Sequence, residues 1–327
     1  MLTRRHLLHL SAGTVLLQHA AAAEDSRFGA ATTAEEVTAD LDLRGKTVLI
    51  TGCNSGIGYE AMRVLVLRGA HVLGLARNMD KATEACASVS KDSGGGKATP
   101  FACEQSDFAS VKACAQEIRK LGIPLDVVIC NAGVAFLEKL TQTYGLEQHF
   151  VINHLSHFIL VHHLLDQVKA ARQGRVVVVG SVAYELAVKG IEFDNLSGDL
   201  AYDRFRMYGR SKLANGLFAF ELARRIDKTS ATANVLHPGT IETDIWRNFG
   251  EDRRHPHAGE MFGGALVKTT PQGAATTCYV ATNPALNRVN GKYFADCHQA
   301  VPNGYMKDHE MAARLWDESV ELTKSYL

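Results

Sequence analysis

The chain has 327 residues, 46% of them hydrophobic, enough to bury a full core in one large α/β domain. Its 35 acidic and 35 basic side chains cancel to a formal net charge of zero. That balance argues against a nucleic-acid or anionic-membrane partner, which would favour a basic excess. Seven cysteines without a Cys-x-x-Cys pair argue against a disulfide scaffold and against a zinc site, so no metal is expected.

Taken in order, residues 1–23 read as a targeting segment. Arg4 and Arg5 precede a mildly apolar run through Leu17, and Ala20 to Ala23 offers an Ala-x-Ala cleavage site. This pattern is similar to a bacterial twin-arginine export signal, and the expectation is a periplasmic protein whose unpaired cysteines are buried, or a cytoplasmic one if the segment is not a signal. Residues 24–40 are rich in Ala and Thr and read as a linker or short arm. The globular domain is expected over 41–327. No stretch of the body reaches ~18 uninterrupted apolar residues, so no membrane span is expected beyond the N-terminal segment.

Residues 47–58 carry the strongest local signal. The apolar run Val48, Leu49, Ile50 reads as a buried strand ending in a turn that holds Gly52, Gly56 and Gly58. A helical pattern with Ala61, Met62, Leu65 and Val66 on one face follows, and Gly69 closes it. Strand, glycine turn and helix N-terminus together seat a pyrophosphate. Thr51, Gly52, Asn54, Ser55, Gly56, Ile57 and Gly58 are therefore candidate cofactor contacts.

Beyond it the chain alternates. Strands are expected at 71–75, 100–103, 125–130, 175–179, 233–236 and 292–294. Helices are expected at 80–89, 108–121, 145–170, 208–226, 272–281 and 308–324. Near-continuous apolar strands separated by helices predict a Rossmann-type, doubly wound parallel sheet of about seven strands in a single domain. Ligands on such a sheet sit at the carboxyl ends of the strands.

The residues just past each strand are the remaining candidates. Arg77 stands where an NAD-preferring fold carries an acidic residue, so charge favours NADP(H) over NAD(H). Asn131, Ala132 and Gly133 form a small-residue loop, Ser181 follows the fifth strand, and Pro238, Gly239 and Thr243 follow the sixth. Tyr208 and Lys212, four apart on a helix, share one face. A lysine there is expected to lower the phenol's pKa from ~10 and make Tyr208 a proton donor or base.

This set resembles the short-chain dehydrogenase/reductase family, over nearly everything from Leu41 onward. The motifs are Thr51-Gly52-x-x-x-Gly56-x-Gly58, Cys130-Asn131-Ala132-Gly133, Asn153, Ser181, Tyr208-x-x-x-Lys212 and His237-Pro238-Gly239, in family order. Asn153-His154-Leu155-x-His157-Phe158 and Gly291-Lys292-Tyr293-Phe294 are similar to its retinol dehydrogenase and WW-domain-containing oxidoreductase branch. The resemblance implies that Tyr208 is the general acid/base, Lys212 tunes it and holds the nicotinamide ribose, and Ser181 binds the substrate oxygen. It also implies that Asn153 anchors a water in a proton relay and that Thr243 touches the nicotinamide end. Three departures stand out. Glu104 and Gln105 occupy the place of an adenine-contacting Asp, Gly180 replaces a second serine, and Ser156 stands where glycine is usual.

The function expected is hydride transfer between NADP(H) and an apolar aldehyde, ketone or alcohol. Residues 241–268 are expected to form a substrate lid with Ile245, Trp246, Phe249, Met261 and Phe262 lining it, and the 184–202 insertion to form the opposite rim. Two alternatives stay open: a non-catalytic NADP(H)-binding sensor, and a reductase of carbon–carbon double bonds. Helix faces around 153–170 and 208–226 also suit a homodimer or homotetramer.

Overall fold

The computed structural model describes residues 27–91, 94–241 and 267–327. In chain order the elements are α1 (Ala34–Val37), β1 (Thr47–Thr51), α2 (Gly56–Leu67), β2 (His71–Ala76), α3 (Met79–Val89), β3 (Lys97–Ala102), α4 (Phe108–Lys120) and β4 (Val127–Cys130). A short hairpin, β5 (Gln142–Thr143) and β6 (Leu146–Glu147), leads into α5 (Gln148–Phe150), a π-helical turn (Val151–Leu155) and α6 (Ser156–Ala170). Then come β7 (Arg175–Val179), α7 (Arg204–Ile226), β8 (Thr232–His237), β9 (Thr240–Ile241), β10 (Val267–Lys268), α8 (Thr270–Thr282), β11 (Tyr293–Ala295), β12 (His298–Ala300) and α9 (His309–Thr323).

The main sheet has eight strands in the order β12-β11-β8-β7-β4-β1-β2-β3. All pairs are parallel except β11 with β12. The eighth strand lay outside the sequence reading because His298, Gln299 and Ala300 carry no apolar alternation; its place comes from the turn at Asp296 and Cys297, both at positive φ. The order reverses beside β1, which pairs β2 on one side and β4 on the other. That reversal is the switch point at which such sheets bind ligands.

Strand side chains alternate between two helical layers. Val48 and Ile50, with Val177 and Val179, meet α2 and α8 on one face. Leu49, with Val176 and Val178, meets α4, α6, α7 and α9 on the other. Each face buries an unbroken apolar layer, which is why the strands read as continuous hydrophobic runs.

Three expected boundaries move for local reasons. The helix expected from 145 opens as a hairpin, and Glu147 caps the helical turn after it by accepting the His149 and Phe150 N–H groups at 3.0 and 3.3 Å. The helix bearing Tyr208 starts earlier, at Arg204, because Asp203 accepts the Arg206 N–H at 2.8 Å. Within 24–40, α1 carries a Thr33–Glu36 capping box and buries Ala34 and Val37. Gln272 Nε2 donates to the Ala31 carbonyl at 3.1 Å and Arg63 pairs with Glu35, so this stretch is fastened to the body.

Arg175 opens β7 yet is only 6% exposed. Its guanidinium donates to the Val280 and Asn283 carbonyls, both at 3.0 Å, and to Asn287 Oδ1 at 2.8 Å, closing the carboxyl end of α8. Burial pulls its pKa down to about 10. Arg175→Met would strand three acceptors, and we expect unfolding free energy to fall by ~2–4 kcal/mol, read from denaturant midpoints with an unchanged m-value.

Candidate active site

The loops that leave the carboxyl ends of β1, β2, β4, β7 and β8 converge on one cleft of about 300 Å³. Gly52, Asn54, Ser55, Gly56, Ile57 and Gly58 line it beside Arg77, Asn131 to Gly133, Ser181, Tyr208, Lys212, Pro238 and Gly239. Thr51 is fully buried just beneath. Thr243 and the expected lid residues Ile245 to Phe262 lie outside the described residues.

At the β1 turn, Gly52 has φ +69°, a conformation that L side chains rarely adopt. A Cβ on Gly58 would sit 2.2 Å from the Gly52 carbonyl oxygen and 2.4 Å from Asn131 Nδ2. Ser55, the residue before α2, makes no side-chain cap, so the first-turn N–H groups beside the cleft have no hydroxyl partner there. A backbone pressed close and a helix N-terminus open to an anion fit the pyrophosphate of a dinucleotide.

Beneath this turn lies a closed polar circuit. Thr51 Oγ1 accepts the N–H groups of Asn131 and Ala132, both at 2.9 Å. The same oxygen is 2.9 Å from His157 Nε2, and His157 Nδ1 is 3.0 Å from the Asn153 carbonyl. The Asn153 carbonyl can only accept, so His157 holds its proton on Nδ1, and Nε2 is left to accept from the Thr51 hydroxyl, which also lies 3.5 Å from the Ile129 carbonyl. Burial keeps His157 neutral, its pKa lowered to about 4. Sequence reasoning quoted His157 only as part of a motif; its role depends on the π-turn, which aligns Nδ1 with the carbonyl four residues back.

Asn153 sits in that π-turn, and its amide is spent on structure. Oδ1 accepts the Val134 N–H at 2.8 Å, while Nδ2 donates to the Val134 carbonyl and to Ser211 Oγ, both at 2.9 Å. It thereby ties the Asn131–Gly133 loop to α7, where Ser211 separates Tyr208 from Lys212.

Tyr208 is 5% exposed and lines the cleft with Ser181. Burial pushes its pKa up to about 12, the nearby Ser181 hydroxyl opposing only in part. This corrects the expectation that Lys212 lowers it. Lys212 Nζ lies 5.8 Å from the Tyr208 ring centroid and donates instead to the Val179 carbonyl at 3.1 Å. Lys212 is itself pulled down to about 8 by burial, so it offers the phenolate a weakened charge. Ser181 Oγ also accepts the Ala183 N–H at 3.1 Å, which fixes the hydroxyl at the strand end.

At the far end of the cleft Arg77 Nε is 3.2 Å from Glu104 Oε2, and Lys81 lines the same region. Gln105 turns inward: its Nε2 donates to Cys103 Sγ at 3.2 Å and its Oε1 receives Ser156 Oγ at 2.6 Å. Ser156 therefore packs without loss, its hydroxyl within reach of both Gln105 Oε1 and, at 2.7 Å, the Ile152 carbonyl. Lys81 escaped sequence reading; it enters the cleft because Asn78 caps α3 and sets that helix's first turn beside Arg77.

Over Tyr208 the wall is apolar. Ala135, Phe136 and Ala183 cluster with it, with Phe205 and Leu186 packed against them. Phe136 stands at φ +54°, a strained conformation for a bulky residue that costs about 1–3 kcal/mol. Of the 184–202 insertion, Leu186 reaches this cluster. Tyr184 instead accepts the Asn303 N–H at 2.9 Å, and Arg314 stacks on Phe193 at 3.9 Å. Those two contacts take both residues to the C-terminal segment instead of the expected rim.

Comparison with known proteins agrees with this geometry. The family model described as short chain dehydrogenase matches residues 46–254. The chloroplastic short-chain dehydrogenase TIC 32 A of Brassica napus is 38% identical over 308 residues, covering 92% of this chain and 95% of that protein. Human retinol dehydrogenase 14 is 36% identical over 290 residues, covering 85% of this chain and 86% of its own. A crystal structure of an uncharacterized protein from Mycobacterium paratuberculosis superposes with TM-score 0.67 at 29% identity, covering 88% and 97%. A Burkholderia cenocepacia short chain dehydrogenase in complex with NADP shares the fold, at TM-score 0.61 and 22% identity, covering 77% and 96%.

These relatives overturn one expectation. Export to a bacterial periplasm by a twin-arginine signal is not supported, because the curated proteins that match include a chloroplastic plant short-chain dehydrogenase and a human retinol dehydrogenase. The physical reason is that an arginine pair before a modest apolar run is shared by several kinds of address segment and specifies none. Residues 1–23 lie outside the described ones, and among the described residues no helix is long and apolar enough to cross a membrane.

Two outcomes test this site. Gly58→Ala drives a methyl into the Gly52 carbonyl, and calorimetry is expected to show dinucleotide binding lost while the circular-dichroism spectrum is kept. The second concerns Lys212. Between pH 8 and 10.5 the unfolded chain still holds a proton that folded Lys212 has released, so stability rises with pH in that window, and the cost of the buried ammonium is fully present below it. Wild type should therefore gain on Lys212→Met in paired denaturant titrations from pH 8 upward.

Proposed function

The chain belongs to the short-chain dehydrogenase family and is an NAD(P)-dependent oxidoreductase, and from that premise we propose that it reduces apolar aldehydes or ketones with NADPH, or oxidises the corresponding alcohols. The observation that carries the reading is the placing of Ser181 and Tyr208, two hydroxyls that line the same cleft, beside an apolar wall.

When bound, the dinucleotide supplies or takes up the hydride. The glycine turn 52–58 and the start of α2 would hold its pyrophosphate, and Asn131 to Gly133, Pro238 and Gly239 would border its nicotinamide half. Thr243 would join them at the nicotinamide end. Arg77 and Lys81 would hold a 2′-phosphate, for which Arg77 must exchange its partner Glu104.

On a carbonyl substrate Ser181 and Tyr208 donate to the oxygen, and Tyr208 gives up the proton as the alcohol forms. A phenol held near 12 is fully protonated at neutral pH and ready for the reducing direction. The oxidising direction needs phenolate, so Lys212 must supply positive charge beside it. The buried ammonium is costly there, and the ribose hydroxyls of a bound dinucleotide would give it polar partners beyond the Val179 carbonyl. Asn153 acts through its two ties, to Val134 and Ser211, by fixing the loop and the helix that flank Lys212. Its anchoring of a relay water is part of the same proposal.

The test follows NADPH and NADH absorbance against a panel of apolar aldehydes and ketones. Turnover with NADPH should fall ~10²–10⁴-fold in Tyr208→Phe at unchanged NADPH affinity. Arg77→Ala should raise the NADPH KM by about 10–100-fold and leave that for NADH nearly unmoved. Preference of wild type for NADH would refute the Arg77 assignment. Tight NADPH binding with no turnover on the panel would favour the sensor, and a saturated product from an enone would favour double-bond reduction.

A further inference from the structure

We infer that Phe136 sets the width of the apolar group accepted over Tyr208, and that a fully buried pair, Glu147 and His149, positions it. The inference deepens the carbonyl reading above and rests on Tyr208 as the proton donor.

Phe136 lines the cleft and is 2% exposed. Its ring centroid lies 4.7 Å from that of Tyr208, the planes tilted by 56°, and 5.3 Å from that of Phe205. A phenylalanine does not take φ +54° unaided, so something must hold the backbone there.

The holder is one residue on. The Leu137 N–H donates to His149 Nε2 at 3.2 Å, and the Leu137 carbonyl accepts the Tyr202 hydroxyl at 2.5 Å. Because Nε2 receives a proton there, the ring's own proton sits on Nδ1, 2.7 Å from Glu147 Oε1. Glu147 Oε1 also accepts the His149 N–H, Oε2 accepts the Phe150 N–H, and Oε2 lies 3.8 Å from Arg210 NH2. Glu147, His149 and Arg210 are all completely buried.

Arg210 is two residues past Tyr208 on α7. The chain Arg210, Glu147, His149, Leu137 therefore starts on the helix that carries the proton donor and ends on the loop that carries its wall. A buried carboxylate, an oriented imidazole and a strained backbone are together expensive, and the imidazole also packs beside the Tyr208 ring, centroids 6.0 Å apart. Their common product is a fixed placement of the Phe136 ring, packed against the phenol ring. His149 and Glu147 are thus positioning residues, and Phe136 is the specificity residue.

The experiment compares decanal, a slender probe, with 2-naphthaldehyde, a broad one. In Phe136→Ala the ratio of kcat/KM for naphthaldehyde to that for decanal should rise about tenfold or more, with NADPH affinity unchanged. An unchanged ratio would overturn the wall. For the clamp, a crystal structure of His149→Leu should show residue 136 leaving the left-handed region, and His149→Gln, whose side-chain oxygen can accept the Leu137 N–H, should keep it. Retention of φ near +54° in His149→Leu would overturn the clamp; should that variant not fold, a lost left-handed φ in His149→Gln would do so. If wild type turns over neither aldehyde, the proposed carbonyl chemistry fails by itself. The wall is then read by calorimetry of 2-naphthalenemethanol in the presence of NADP⁺. Binding about tenfold tighter in Phe136→Ala supports it, and equal binding overturns it.

Discussion

Backbone accounting at the end of the central strand governs this molecule. Where β1 stops, the sheet can no longer pair the N–H groups of the Asn131–Ala132 loop, and unpaired buried donors are costly. One hydroxyl, Thr51 Oγ1, takes both and passes its own proton to His157, which passes another to Asn153. Asn131 Nδ2 then returns to the Thr51 carbonyl at 2.9 Å. The glycine turn, the small-residue loop and the π-turn are thus one hydrogen-bonded body. Hydrogen bonds from three segments thus cross-link this part of the cleft floor.

The same accounting explains why the reactive pair looks unready. Buried charge is disfavoured, so Tyr208 is held protonated and Lys212 is pulled toward neutrality. Their separation leaves burial, and not mutual attraction, as the dominant influence on each. On the proposed reading, polar groups brought in by a dinucleotide would shift that balance toward the charged lysine and so would couple cofactor binding to the proton chemistry.

Charge also organises the periphery of the site. Arg77 is paired with Glu104 at one end of the cleft, so a phosphate bound there would compete with a carboxylate already in place. On the other side Glu147 sits among His149 and Arg210 with no solvent contact. The first pair is exposed and exchangeable; the second is buried and permanent, since breaking it would leave an uncompensated charge in a low dielectric. One end of the cleft suits choice among ligands, and the other suits fixed shape.

What the amino-acid order determined by itself was whatever is local or periodic. The strand–turn–helix at 47–58, the valine run of β7 and the spacing of Tyr208 and Lys212 all appear where hydrophobic period and glycine placement put them. The candidate residues from Thr51 to Gly239 meet at one place because parallel strands all end on the same edge. Only the tertiary structure decided the rest. Burial, which no single residue encodes, set the Tyr208 pKa against its neighbour's pull. The pinning of Leu137 by His149 joins a loop to a helical turn that share no periodic pattern, and so does the inward turn of Gln105 onto Ser156. The edge strand His298–Ala300 arises from backbone pairing with β11 and leaves no trace in side-chain hydrophobicity. Periodicity reports which face a residue takes; partner, solvent exclusion and charge balance exist only once the chain has closed on itself.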